Sequence, residues 1–173
     1  MAAVLMFSSS TFAVLVSDFK HVGKWLTEGN SHSIVHDLRD NGVPGSFQVT
    51  KAWLSVGFSD GYKSGDWALD MAKVTGSGLS GTWEVNGTHK YGYDIKKIRV
   101  GNSGIDDLNF DGLLKVTITA LNTTGIFDGH NDFWWKTSTL KARIKPKSVP
   151  EPSSVALLGL GVLGLSLARK RKK

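Results

Sequence analysis

Residues 47–58 read FQVTKAWLSVGF, a run in which the character of the side chains alternates. Successive side chains of a β-strand point to opposite faces of the sheet. In a strand, Ala52, Leu54, Val56 and Phe58 therefore share one uniformly apolar face, whereas the odd-numbered face mixes polar and apolar residues. This period of two predicts a β-strand whose even-numbered face points into the core.

Similar runs recur on both sides of this strand, separated by turns rich in Gly, Asn and Asp. Further strands are predicted at Ser33–Leu38, Trp67–Val74, Thr82–Val85, Tyr91–Val100, Leu113–Leu121 and Phe133–Ile144, with Asn86-Gly87 as a hairpin turn between the flanking runs. No stretch between them has a sustained helical period. Regularly spaced strands without intervening helices predict an all-β fold, a single antiparallel β-sandwich of jelly-roll or Ig-like type.

The distribution of charge argues against a nucleic-acid partner. The chain of 173 residues has a net charge of +6, but five of its 21 basic residues are its last five. The remaining basic residues nearly balance the 15 acidic ones. A nucleic-acid-binding protein needs its positive charge on the folded domain, where it meets phosphates. The chain has no cysteine, so disulfides and thiolate metal sites are excluded.

The carboxyl end consists of three blocks. The first block is the motif Val149, Pro150, Glu151, Pro152, whose two prolines break regular structure. An uncharged apolar block follows at residues 155–168. The third block is a basic cluster at the end of the given sequence: Arg169, Lys170, Arg171, Lys172 and Lys173. A helix over the apolar block is about 21 Å long, shorter than the hydrocarbon core of about 30 Å. The block is apolar on every face and is followed by cations that stop translocation. A short hydrophobic helix that crosses the membrane at about residues 154–169 is therefore predicted after the sandwich.

This three-part tail resembles the PEP-CTERM sorting signal, through residues 149–152, the apolar helix and the terminal basic run. The resemblance implies an exported protein whose precursor is inserted in the inner membrane of a Gram-negative bacterium. It also implies recognition by an exosortase-type enzyme, cleavage near the Pro-Glu-Pro motif, and a mature protein at the cell envelope or in an exopolysaccharide, biofilm or floc matrix. The alternative is an ordinary carboxyl-terminal transmembrane anchor that stays in place.

The amino terminus is interpreted as part of a signal peptide. Residues 1–17 begin with an apolar run, and Thr11-Phe12-Ala13 places small residues at positions −3 and −1 of a cleavage site after Ala13. No Lys or Arg occurs before Lys20, so the true start is expected upstream. The alternative is that residues 1–17 form a first apolar strand. The predicted organisation is thus a partial signal peptide at 1–17, an ectodomain at 18–147 and a sorting and anchoring signal at 148–173.

One segment fits the opening of a calcium-binding loop. Asp107, Asn109 and Asp111 are followed by a glycine in the pattern D-x-N-x-D-G, which places hard oxygen ligands at alternate positions. The twelfth position of that pattern is Ile118 and not an acidic residue, so ligands from elsewhere would be needed. The alternative is a turn whose Asp and Asn side chains bind their own backbone. A structural calcium ion is the one cofactor considered.

Tryptophans raise the question of a ligand platform. Trp134 and Trp135 are adjacent, so on a strand they point to opposite faces, and one of them is a candidate surface ring for sugar binding. The alternative is that the aromatic residues fill the core of a sandwich that has no disulfides. Nothing singles out a catalytic group: there is no Gly-x-Ser-x-Gly motif, no thiol and no distinguished pair of carboxylates.

These observations predict an exported, non-enzymatic protein of the cell surface or extracellular matrix, with the membrane, an exosortase and exopolysaccharide as partners. The body is also similar to small β-sandwich ectodomains found ahead of such tails, through His36-Asp37-Leu38, residues 52–56 and the closing pair 113–120 and 138–144. That similarity implies fold more than activity. A carbohydrate-binding module is the first alternative, and an extracellular hydrolase is the second.

Overall fold

The structure is a computed structural model that describes residues 13–43, 46–59, 70–85, 94–122 and 131–147. Its elements in chain order are β1 (Val14–Thr27), β2 (Ser31–Asp37), a 3₁₀ turn (Arg39–Asn41), β3 (Phe47–Ser59), β4 (Met71–Gly76), β5 (Leu79–Glu84), β6 (Asp94–Arg99), α1 (Asn102–Phe110), β7 (Leu113–Ala120) and β8 (Asp132–Pro146). Within these ranges, no helix has the length and apolar character needed to cross a membrane.

The strands form two four-stranded antiparallel sheets. Sheet A has the strand order β1-β8-β3-β6, and sheet B has the order β2-β7-β4-β5. The inward side chains of both sheets belong to one hydrophobic core, whose largest fully buried members include Trp135, Phe58, Phe133 and Leu54. The all-β prediction with two antiparallel sheets is therefore confirmed, whereas the choice between jelly-roll and Ig-like type stays a prediction.

Strand β3 lies at the centre of the fold and follows the predicted alternation. Ala52, Leu54, Val56 and Phe58 are all fully buried, as the even-numbered pattern indicated. Towards the start of the strand the buried positions become odd-numbered, because the pairing of β3 with β8 shifts register between Val49 and Lys51. A bulge adds one residue to one strand, so it reverses which positions face inward. The core face of β3 thus runs the whole length of the strand.

Helix α1 corrects the prediction that the body contains no helix. The segment is only nine residues long and has just two buried positions, Gly104 and Leu108, so its period was too short to recognise. Its position depends on close approach to the β4–β5 turn: a Cβ atom on Gly104 would collide with the carbonyl oxygen of Ser77 and with Cγ1 of Val100. Packing against the sheets stabilises the helix, whose intrinsic propensity is weak.

The predicted β5–β6 hairpin is also wrong. Asn86-Gly87 lies outside the described residues, but β5 pairs with β4 in sheet B, whereas β6 pairs with β3 in sheet A. The hairpin partner of β5 is β4, and Gly76 opposite Leu79 leaves a two-residue turn. A turn dipeptide indicates a change of direction but does not specify which strand becomes the neighbour.

Strand β1 begins at Val14, directly after the predicted cleavage site at Ala13. Residues 14–17, which the sequence assigned to the leader, pair with the end of β8. The strand lies at the edge of sheet A, and Leu15 and Phe19 on its outer side are exposed. For residues 14–17 the structure thus agrees with the alternative interpretation, a first apolar strand, and the strand continues to Thr27.

Candidate functional site

Three polar side chains from three different strands form a hydrogen-bonded chain in the interior. Asp18 on β1, His36 on β2 and Ser138 on β8 are all buried. Nδ1 of His36 lies 2.8 Å from the carboxylate of Asp18, and Nε2 lies 2.8 Å from the hydroxyl of Ser138. The backbone N–H of Asp37 also donates to the Asp18 carboxylate, at 3.1 Å. We call Asp18, His36 and Ser138 the buried triad.

Burial determines the protonation of the triad. Removal from water lowers the pKa of His36, and the nearby Asp18 carboxylate only partly opposes this effect. Burial raises the pKa of Asp18, but the hydrogen bond and charge of His36 and the N–H of Asp37 outweigh it, so the pKa is lowered. Above its lowered pKa His36 is neutral; it then donates its Nδ1 proton to Asp18 and accepts the hydroxyl proton of Ser138 at Nε2.

The buried triad has the residue types of an acyl-transfer site, but a substrate cannot reach its side chains in this structure. A nucleophile and its general base must reach the bond that they attack. The side chains of His36 and Ser138 are both 0% exposed, so neither reaches solvent in this structure. The network instead ties β1 and β8 of sheet A to β2 of sheet B. This network was not predictable from the sequence, since Asp18, His36 and Ser138 lie far apart along the chain and their residue types are common.

The lowered pKa values predict that the fold loses stability in acid. Where a folded-state pKa lies below the unfolded value, the unfolded state binds more protons, so stability falls as pH decreases. The stability that comes from keeping His36 neutral is fully present above about pH 6.5 and declines below it, and the stability that comes from ionised Asp18 declines below about pH 3.8. Each unit by which the pKa of His36 is lowered corresponds to about 1.4 kcal/mol.

Urea unfolding between about pH 8 and pH 4 tests this dependence. The variant His21→Gln, which changes an exposed histidine of β1, should retain the full loss of stability in acid. A free energy of unfolding that stays constant from about pH 7 to pH 5 would contradict the assigned protonation of His36.

The residues predicted to bind calcium do not form an obvious set of ligands. Asp107 and Asn109 lie in α1, where residues two apart point about 200° away from each other. The amide of Asn109 binds the backbone of Val49, accepting from its N–H at 2.6 Å and donating to its carbonyl at 3.2 Å. Asp111 follows the helix, and its carboxylate accepts from the N–H of Leu113 at 2.9 Å. Among the described residues no three His, Asp or Glu side chains are grouped to hold a metal. The calcium site stays a prediction.

The two adjacent tryptophans lie on opposite faces of sheet A. Trp135 is fully buried, and its indole N–H donates to the carbonyl of Thr137 at 3.0 Å. Trp134 is half-buried on the outer face, where its ring meets that of Trp25 edge-on at a centroid distance of 5.2 Å. Nζ of Lys136 lies 4.2 Å from the centre of the Trp134 ring. Trp134, beside Trp25, is therefore the outward ring of the two adjacent tryptophans, and the ligand platform stays a prediction.

The sorting residues lie outside the described part of the chain. These are Val149–Pro152, the helix predicted at about 154–169 and the basic cluster at 169–173. The last described contact before them joins the N–H of Lys147 to the carbonyl of Ser46, at 3.2 Å. Strand β8 has therefore ended, at Pro146, before the sorting residues begin.

Comparison with known proteins identifies this segment. Residues 148–172 match the sequence model of the PEP-CTERM protein-sorting motif. None of the curated proteins compared with the chain matches it. The match confirms the resemblance of the tail and covers only that part of the chain. The chain carries a PEP-CTERM protein-sorting motif and is thus an exported protein, sorted by an exosortase at a membrane.

Proposed function

We propose that the protein is a non-enzymatic component of the cell surface or extracellular matrix, associated with the exopolysaccharide or biofilm of a Gram-negative bacterium. The sorting motif supports the proposed location, because such motifs belong to exported, membrane-processed proteins. The closure of the buried triad supports the non-enzymatic role: the side chains of His36 and Ser138 are inaccessible, and they serve to join the two sheets. The sandwich then acts as a binding or structural domain.

The position of the sorting motif is consistent with cleavage that releases an intact β-sandwich domain. Strand β8 ends at Pro146, and Lys147 makes the last described backbone hydrogen bond. Cleavage near Val149–Pro152 therefore removes no described strand and no described core residue. In this proposal the apolar segment at residues 155–168 holds the precursor in the membrane, and processing separates the folded domain from it. We expect the mature protein to contain the complete two-sheet structure.

Substitution of the motif tests the sorting. Changing Pro150, Glu151 and Pro152 together to alanine should leave a full-length precursor in the membrane fraction and abolish the shorter mature form, because the processing enzyme no longer recognises its substrate. Intact-mass measurement of the two fractions from the native host reports this outcome. Pro44→Ala, a proline substitution far from the motif in sequence, is the control and should be processed normally. Unchanged trimming of the triple variant would contradict exosortase sorting through this motif.

Turnover assays test the non-enzymatic role of the same protein. We expect no hydrolysis of ester or polysaccharide panels by the mature protein. Activity that disappears in Ser138→Ala, while the variant keeps its fold, would show that the buried triad opens and would overturn this part of the proposal.

Carbohydrate binding is a second candidate function. The half-buried Trp25–Trp134 pair on the outer face of sheet A favours it, because aromatic faces pack against the C–H groups of sugar rings. This function is compatible with the first, since a matrix protein is retained by the polymer that it binds.

A further inference from the structure

The outer face of sheet A concentrates positive charge. Six exposed cations lie at outward positions of its β3, β6 and β8 strands: Lys51, Lys97, Arg99, Lys141, Arg143 and Lys145. Together with Trp53, which lies among them, they are called the basic face. Their register places them side by side, since Lys51 is opposite Arg143 and Trp53 is opposite both Arg99 and Lys141.

Acidic side chains are excluded from this surface. Strand β3 contains no Asp or Glu, and in β8 the only one is Asp132, at the end remote from Lys145. Asp94 of β6 lies on the other side of its strand and forms an ion pair with Lys96 at 2.8 Å. No ion pair joins any of the six cations to a carboxylate within the described ranges. The near-neutral composition of the body therefore conceals a surface with strong local charge.

The outer face of sheet B is different in character. Ser and Thr alternate there with apolar and charged residues of both signs, and Ser33 and Thr117 share a hydrogen bond of 2.8 Å across β2 and β7. Lys73 and Lys115 are exposed there, in a surface that also contains the carboxylate of Glu84. The segregation of charge is thus specific to sheet A and does not follow from the strand pattern alone.

The cations form a regular array. Lys141, Arg143 and Lys145 occupy every second position of β8, so they are about 7 Å apart along the strand. Trp53 and its two cationic neighbours lie in one row across the sheet, with about 5 Å between neighbouring strands. Unpaired like charges at these distances repel one another, so a polyanion that lies across them gains Coulomb energy and stabilises the surface.

We propose that the basic face binds an acidic polysaccharide. Carboxylates on successive sugars contact the lysines and arginines, and the apolar face of one sugar ring packs on Trp53. A neutral glycan leaves the cations unpaired, whereas a linear polymer with an ionised group at regular intervals matches their spacing along β8. Exposed apolar side chains also lie on the outer side of sheet A, at Leu15 and Phe19 of β1 and at Ile95 of β6, so an anionic lipid surface is the alternative that the test includes. This inference rests on the proposed association with exopolysaccharide and names its site and chemical class.

Binding of the full-length chain in detergent micelles to sodium alginate, a polyuronate, tests the proposal. Dextran of similar length is the neutral probe, and an oligodeoxythymidine and phosphatidylserine vesicles are the alternative polyanions. Alginate binding should weaken at least about tenfold between low salt and about 0.3 M NaCl, because salt screens the contacts. The double variant Lys141→Gln, Arg143→Gln should lose about tenfold in affinity. Lys73→Gln, Lys115→Gln, which removes two cations from sheet B, should stay within about twofold.

The aromatic contact has its own readout. Trp53→Leu should weaken alginate binding without changing its salt dependence, because the ring carries no charge; circular dichroism verifies that the variant is folded. Three results would overturn the proposal: no binding to alginate, an equal loss of alginate affinity in the sheet A and sheet B double variants, or tighter binding to the oligonucleotide or the vesicles. Co-fractionation of the native mature protein with the host's own exopolysaccharide is measured in parallel. If it persists while alginate binding fails, the assigned site is wrong but the matrix role stands.

Discussion

Replacing His36 by alanine is expected to lower the free energy of unfolding by about 3–5 kcal/mol. The substitution leaves the Asp18 carboxylate and the Ser138 hydroxyl without their 2.8 Å partners in the interior and opens a cavity between the sheets. Asp18 would keep the N–H of Asp37 at 3.1 Å and Nζ of Lys20 at 3.7 Å, which satisfy only part of its charge. Urea unfolding followed by circular dichroism measures the loss.

Two further variants separate this effect from a general effect of losing a histidine. His21→Ala removes an exposed side chain of β1 and should change stability by less than about 0.5 kcal/mol. Ser138→Ala removes only the donor to Nε2 and should cost about 1–3 kcal/mol, less than the loss of His36. Similar stabilities for His36→Ala and His21→Ala would show that the buried triad does not join the sheets.

Truncation of Trp135 to alanine is the second large effect, with an expected loss of about 3–5 kcal/mol. The ring is fully buried in the core, lies edge-on to His32 at a centroid distance of 6.0 Å and donates a hydrogen bond to the backbone of Thr137. Its removal takes away a large apolar area and leaves a cavity that the two sheets do not close. Thermal and urea unfolding should both report the loss.

The neighbouring tryptophan is the matched control. Trp134→Ala removes a ring of the same size from the outer face and should cost less than about 1.5 kcal/mol, mostly from the contact with Trp25. It also tests the Trp25–Trp134 pair as a carbohydrate-binding surface, because Trp135→Ala leaves that pair intact. Equal costs for the two substitutions would contradict the assignment of Trp135 to the core.

The strands with a clear alternation were predictable from local chemistry. In β7, Leu114, Val116, Ile118 and Ala120 are all fully buried, at the alternate positions that the sequence indicated. Such a pattern results from the geometry of one strand and one apolar interior, so neighbouring residues suffice to show it. The sorting motif at residues 148–172 was predictable for the same reason, since its three blocks follow one another along the chain.

Elements whose stability comes from distant partners were not predictable. Helix α1 depends on the fit of Gly104 against the backbone of Ser77. The periodicity of the sequence does not indicate this contact. The neighbours of β5 and β6 were misassigned because the turn residues between them do not specify a sheet. The calcium pattern at Asp107–Asp111 was read as a loop, whereas local hydrogen bonds continue the helix to Phe110.

The sequence by itself determined the sorting signal of this protein and the inward faces of its central strands, because both are properties of short contiguous segments. Only the tertiary structure decided which polar residues meet and where the charge lies. Packing of β1 in sheet A against β2 in sheet B brings Asp18 to His36, and pairing of β3 with β6 and β8 brings Arg99 and Lys141 to either side of Trp53. A charge total taken over the whole chain contains no information on such neighbours, since strand pairing distributes the residues between faces.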